Sequence, residues 1–201
     1  MDLVAGLVAG FSARPQVLAI DGPSGAGTTT LADAVAGRLG TGGGAGDVED
    51  PVHGVAVVHG DDFYRDMPED VRWALTAEQG LDRYFDWQRL RREALAPLRS
   101  GAAAAYRPFS WRPEGGLSAE FVTIEAAPIV VLEGVYAARP ELDDLVDLTV
   151  FVETPAAERR RRLVARGHGN DRWWSRWDAA EDLYFGTVRP RDRFDLVVPG
   201  F

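Results

Sequence analysis

The stretch "LAIDGPSGAGTTTLADAV", Leu18 to Val35, decides the fold. An apolar run ends at Asp21, a glycine-rich turn follows, and an apolar residue then recurs every four positions at Leu31, Val35 and Leu39. That is a strand, a loop and a helix. In such a unit successive backbone N–H groups converge on a phosphate, and the helix adds its positive N-terminus. The usual pattern is G-x-x-x-x-G-K-[ST]. Gly22 and Gly27 hold the two glycine positions and Thr29 the last, but Thr28 stands where the lysine belongs. Gly22, Ser24, Gly25, Ala26, Gly27, Thr28, Thr29 and Thr30 are the candidates for holding phosphate, and the Thr29 hydroxyl for holding Mg²⁺. None of this requires the lysine. What a lysine adds is a mobile cation on the phosphates, and losing a preorganised donor of that kind costs on the order of 10²–10³ in rate.

Further along, "QVLAID" (16–21), Val55–Val58 in "GVAVVHGDDFY", "IVVLEG" (129–134), "DLTVFVET" (147–154) and "FDLVVPG" (194–200) read as strands. Helical spacing runs from Thr76 to Leu98, through "ERRRRLVARG" and through "WWSRWDAAEDLYF". Pro155 is placed to start the second of these, with Thr154 as its N-cap. "TGGGAGDVED" (41–50) and "HGNDR" (168–172) read as loops. Strands alternating with helices predict a parallel sheet, whose ligands sit at the carboxyl ends of the strands. The loop, Asp61, Asp62 and Glu133 all fall at such ends.

Those carboxylates suit one chemistry. Transfer of a phosphoryl group to a hydroxyl needs a base to take the proton, and "HGDDFYR" offers Asp61. Glu133 closes "IVVLEG" and is a candidate for the Mg²⁺ site. Each has a plainer reading, as a turn cap and as a carboxylate leaving the core. Arg159, Arg162 and Arg166 share one helical face and can meet phosphates, with Arg172 beyond; the alternative is a solvated basic face. His53, His59 and His168 are scattered and read as incidental, and "WWSRW" as core.

Composition narrows the classes. The 201 residues fit one domain, 46% of them hydrophobic, and there is no cysteine for a disulfide or a thiol nucleophile. A net charge of −9 opposes nucleic-acid binding. All 22 basic residues are arginine. No apolar run is long enough for a membrane span, and "MDLVAGLVAGFSARP" lacks a basic leader, so the expectation is a cytoplasmic protein acting on a small molecule. Nothing in the sequence opposes a homo-oligomer.

"GPSGAGTTTLA", "HGDDFYR", "YFDWQRL", "VLEGVYA" and the arginine-rich run into "RGHGNDR" resemble the uridine kinase and phosphoribulokinase-like group of P-loop kinases over most of the chain. The resemblance implies a three-layer α/β/α P-loop NTPase fold, with a five-stranded parallel sheet and an arginine-bearing lid near 162–175. It implies ATP and Mg²⁺, transfer of the γ-phosphoryl group to a hydroxyl, and a nucleoside such as uridine as acceptor. On these positions it makes Asp61 the base and puts Tyr64 and Asp86, with Asp62, near the acceptor. Glu133 falls near Mg²⁺, Arg162 and Arg166 on the nucleotide, and Arg189 near the adenine. "YRPFSW" (106–111) loosely matches the base-reading region, and Gly167 stands where relatives often have aspartate. The substituted lysine leaves a second expectation: a pseudokinase that binds nucleotide or a partner protein without catalysis.

Overall fold

The computed structural model describes residues 14–40, 54–111, 115–167 and 174–200. Its main sheet has five strands: β1 (Gln16–Asp21), β2 (Val55–His59), β5 (Ile129–Glu133), β6 (Leu148–Glu153) and β7 (Leu196–Pro199). They lie in the order β2-β5-β1-β6-β7 and every neighbouring pair is parallel. The register places His59 beside Glu133 and Ile20 on the other side of it, so the chain leaves three adjacent strands at one edge. A short antiparallel pair, β3 (Ala104–Tyr106) and β4 (Val122–Ile124), was not expected; three-residue strands are too short to show a period.

Alternation within β1 divides the core. Leu18 and Ile20 pack with Leu31 and Val35 of helix α1 (Thr28–Gly40), while Val17 and Ala19 face a second helical layer that includes Leu90, Leu98 and Trp177. Burial on both faces is why the strands read as unbroken apolar runs. No helix of the described residues is long and apolar enough to cross a membrane.

Two expectations change. The helical period from Thr76 to Leu98 belongs to two helices, α3 (Ala77–Arg83) and a longer α4 over 87–99, preceded by α2 (Glu69–Ala74). Between α3 and α4 the chain extends to pair with the exit of β2: Arg65 N–H donates to Tyr84 O at 2.8 Å and Asp86 N–H to Phe63 O at 2.7 Å. Thr76 and Asp86 supply the two N-caps. Thr154 is not a cap. Helix α5 (Ala156–Ala165) starts after Pro155 without a side-chain cap, and the Thr154 hydroxyl donates to Ala26 O at 2.8 Å. The last helix, α6 (Trp174–Leu183), runs on into a wider turn at Tyr184–Val188. The predicted loops at 41–50 and 168–172, with His53 and His168, lie outside the described residues, as does the middle of the predicted lid, 168–173.

Candidate functional site

A cleft of about 670 Å³ opens where the β1–α1 loop, the exits of β2 and β5, and α6 meet. Gly22, Ser24, Gly25, Gly27 and Thr28 to Thr30 line one side, Asp61 and Glu133 the floor, and Tyr64, Trp111, Trp174 and Trp177 an aromatic wall. Arg166 also lines it. Ala26 is buried behind the loop.

The loop is glycine-rich for two reasons. Gly25 and Gly27 have φ of +79° and +105°, where a side chain is strained. In addition, a Cβ on Gly25 would sit 2.9 Å from Arg159 O, and one on Gly22 2.9 Å from Val152 O. The loop therefore lies directly on β6 and α5.

Asp61 faces the solvent of the cleft and is otherwise surrounded by protein. Loss of water around it raises its pKa to about 6, the charge of Glu133 pushes the same way, and the Tyr64 hydroxyl, donating at 3.2 Å, opposes them. Glu133 is buried and accepts from the Thr29 hydroxyl at 3.1 Å and from His59 Nδ1 at 2.8 Å. That hydrogen bond holds the His59 pKa above its ordinary value. His59, read as incidental, thus touches the site, and its signal was its place at a strand end in "HGDD".

Two further carboxylates had no reading in the sequence. Asp21, fully buried, accepts from the N–H groups of Gly22, Tyr136 and Ala138 and from the Tyr184 hydroxyl. Those contacts join the loop to the exit of β5, where Tyr136 is held at φ +69°. Glu181 on α6 accepts from Ser24 N–H at 2.9 Å, from the Ser24 hydroxyl and from Trp177 Nε1. Burial pushes the pKa of each up to about 7.

Other predicted residues sit elsewhere. Asp62 turns away from the loop side; it accepts from the Tyr106 hydroxyl at 2.9 Å and lines an adjoining hollow with Phe109 and Trp111. Asp86 caps α4 through Arg89 N–H and is not among the lining residues of the cleft. Arg189 is bound to Asp143 at 3.0 Å and to Thr149, also outside that lining. Arg162 lies behind the loop, donating to Gly25 O and Ala26 O, with its Nε on Glu158. Arg172 lies outside the described residues.

The cleft suits a polyphosphate and its cation. The first-turn N–H groups of α1 have no intrahelical partner, the threonine hydroxyls stand beside them, and the glycines leave no Cβ in the way. Among the described residues no three His, Cys, Asp or Glu side chains form a cage for a metal. Mg²⁺ usually keeps waters and takes one or two protein oxygens plus substrate phosphates, and the Thr29 hydroxyl and Glu133 carboxylate, 3.1 Å apart, are oxygens of that kind.

A sequence model of one family matches residues 17–199, described as phosphoribulokinase / uridine kinase. The chain belongs to the phosphoribulokinase / uridine kinase family. It is by family a kinase, and ATP is the nucleotide that membership implies. Similar solved structures carry the same fold. One is a possible uridine kinase from Bacillus stearothermophilus, 23% identical over 98% of this chain and 95% of that one, with a TM-score of 0.69. A second, provisionally named a fructose transport system kinase, comes from Silicibacter sp. TM1040; it is 21% identical over 98% of both chains, with a TM-score of 0.72. D-glycerate 3-kinase from Cryptococcus neoformans is 15% identical over 98% of this chain and 94% of that one, with a TM-score of 0.57. No curated protein matches significantly. Five parallel strands and the phosphate loop are thus family features, expected from the sequence and present here.

Proposed function

We propose that the protein transfers the γ-phosphoryl group of ATP to a hydroxyl of a small molecule with an apolar or aromatic face, a nucleoside such as uridine being one. The observation that carries this reading is Asp61, in one cleft with the phosphate loop and with a pKa near 6. Such a carboxylate is mostly ionised at neutral pH and still basic enough to take a proton in the transition state.

The first-turn N–H groups of α1 and the Thr28 and Thr30 hydroxyls hold the phosphates, and Arg166 balances their charge from the end of α5. Thr29 and Glu133 are the residues that would hold Mg²⁺, which neutralises phosphate charge and orients the oxygens. The acceptor lies against Tyr64, Trp111 and Trp177 with its hydroxyl on Asp61. Asp61 takes the proton as the acceptor oxygen bonds to the γ-phosphorus. The bond from that phosphorus to the bridging oxygen breaks, and ADP leaves with its electron pair. Asp61 then releases its proton to solvent.

The Thr28 substitution favours a second reading, a pseudokinase that binds nucleotide without turnover. One variant separates the two. Asp61→Asn should bind Mg·ATP as wild type does and lose transfer to a panel of nucleosides and small alcohols. Wild-type turnover that vanishes in Asp61→Asn rejects the pseudokinase; unchanged turnover in the variant rejects Asp61 as base.

A further inference from the structure

Three consecutive loop carbonyls are turned away from the cleft and held by β6 and α5. Arg159 Nη1 donates to Ser24 O at 3.3 Å, and Arg162 Nη1 to Gly25 O at 3.3 Å and Ala26 O at 3.2 Å. Thr154 adds its bond to Ala26 O. In a planar trans peptide the C=O and the following N–H point in opposite directions. With the carbonyls of Ser24 and Ala26 drawn back, the N–H groups of Gly25 and Gly27 are turned forward, into the cleft that both glycines line. The two positive-φ glycines allow that conformation, and the 2.9 Å that a Cβ on Gly25 would leave to Arg159 O shows how closely the loop rests on the arginine helix. Two guanidinium groups therefore stand one peptide's thickness from the phosphate side.

A lysine at position 28 would reach the phosphates from the cleft on a flexible stem. Thr28 does not reach them with charge. We propose that Arg159 and Arg162 form a fixed cationic brace behind the loop, supplying as positioning residues what the absent lysine supplies from the front. They keep the N–H groups of Gly25 and Gly27 aimed at the phosphates and add positive charge to the field there. This rests on the reading of the cleft as an Mg·ATP site. It also changes the part given to Arg162 in the sequence: it acts through the loop, whereas Arg166, at the C-terminal end of α5, lines the cleft.

Calorimetric titration of Mg·ATP, without acceptor, tests the brace. Charge-assisted hydrogen bonds are strong enough that Arg162→Ala should weaken binding about ten- to a hundredfold. Arg161→Ala removes the same charge from the outer face of α5, where Arg161 is exposed and pairs with Glu158, and should change affinity less than about twofold. The decisive variant is Thr28→Lys in the Arg162→Ala background. A cation from the front should then restore affinity to within a few-fold of wild type. Arg162→Gln, which keeps an amide donor without the charge, replaces Arg162→Ala if the latter fails to fold by circular dichroism.

Weakening that Thr28→Lys does not repair overturns the brace and leaves Arg162 a purely structural residue. No weakening overturns it as well. Binding by Thr28→Lys alone, with none by wild type, overturns it while the nucleotide reading of the cleft stands. Failure of both to bind overturns the reading of the cleft itself.

Discussion

The two halves of the cleft are built on opposite plans. On the phosphate side the loop is fixed by distant parts of the chain, Ser24 by Glu181 and Arg159 and Gly25 and Ala26 by Arg162, while Gly22 N–H is held by Asp21 next to it. The acceptor side is made of ring edges. Tyr64 meets Trp111 at 5.0 Å and Trp177 at 4.9 Å between centroids, both edge to face, and Asp61 is its main polar group. Polar partners fix one geometry, whereas aromatic walls accept many shapes. The difference teaches where to look for what distinguishes this kinase: the loop side is specified in detail, and under the proposed function its selectivity would lie in a few rings.

The largest break in that contrast comes from Asp61→Asn. Loss of the base should lower kcat about 10²- to 10⁴-fold and leave Mg·ATP affinity unchanged by calorimetry, because Asp61 holds nothing on the phosphate side. Wild-type kcat should also fall as pH drops through about 6, where Asp61 takes up its proton. Gly25→Ala attacks the other half. Its methyl must enter a strained φ and press on Arg159 O, so Mg·ATP affinity should drop by roughly tenfold or more, with a lower melting temperature read by calorimetry. Equal binding in that variant would mean that the loop is less tightly fixed than its contacts imply. Trp111→Ala sharpens the comparison from the acceptor side: the acceptor KM should rise several-fold while the KM for ATP holds.

The last effect is on stability rather than turnover, through Glu181. Its folded pKa, about 7, lies above the ordinary glutamate value of 4.5. The folded protein then holds this proton where the unfolded chain has lost it. Glu181 contributes stability that is full below about 4.5 and disappears as pH rises through 7, on the order of a few kcal/mol. Asp21 acts in the same direction. Wild type should melt at lower temperature as pH goes from 5 to 7, and Glu181→Gln should flatten that slope in a denaturation series. An unchanged slope would show that Glu181 is ionised throughout.

The sequence made the sheet legible because strands buried on both faces are apolar without interruption. It made the loop legible because positive φ and close approach can be met only by glycine. Asp61 and Glu133 stood out as charges at the ends of such strands. The extended turn at Tyr84–Asp86 did not, since it is imposed by pairing with Phe63 and Arg65, and the periods on either side of it stay in phase. Asp21 looked like any strand-end carboxylate. Glu181 could have been found: Trp174, Trp177, Glu181 and Tyr184 recur at spacings of three and four and all are buried, so a charge occupies a core position of α6. The spacing puts Arg162 on one face with Arg159 and Arg166, but whether it meets a phosphate or a peptide carbonyl depends on how closely α5 approaches the loop.

The Asp21 clamp also sets a schedule. Its hydroxyl donor, Tyr184, follows it by 163 residues, and Glu181 follows Ser24 by 157. At about 5–20 residues per second, the ribosome makes the loop roughly 8–30 s before it makes the side chains that hold it. During that interval the nascent chain has the loop's glycines but not its fixed shape. Nucleotide binding thus becomes a property of a chain made through Tyr184, and a ribosome stalled before α6 would carry a loop without the side chains that hold it.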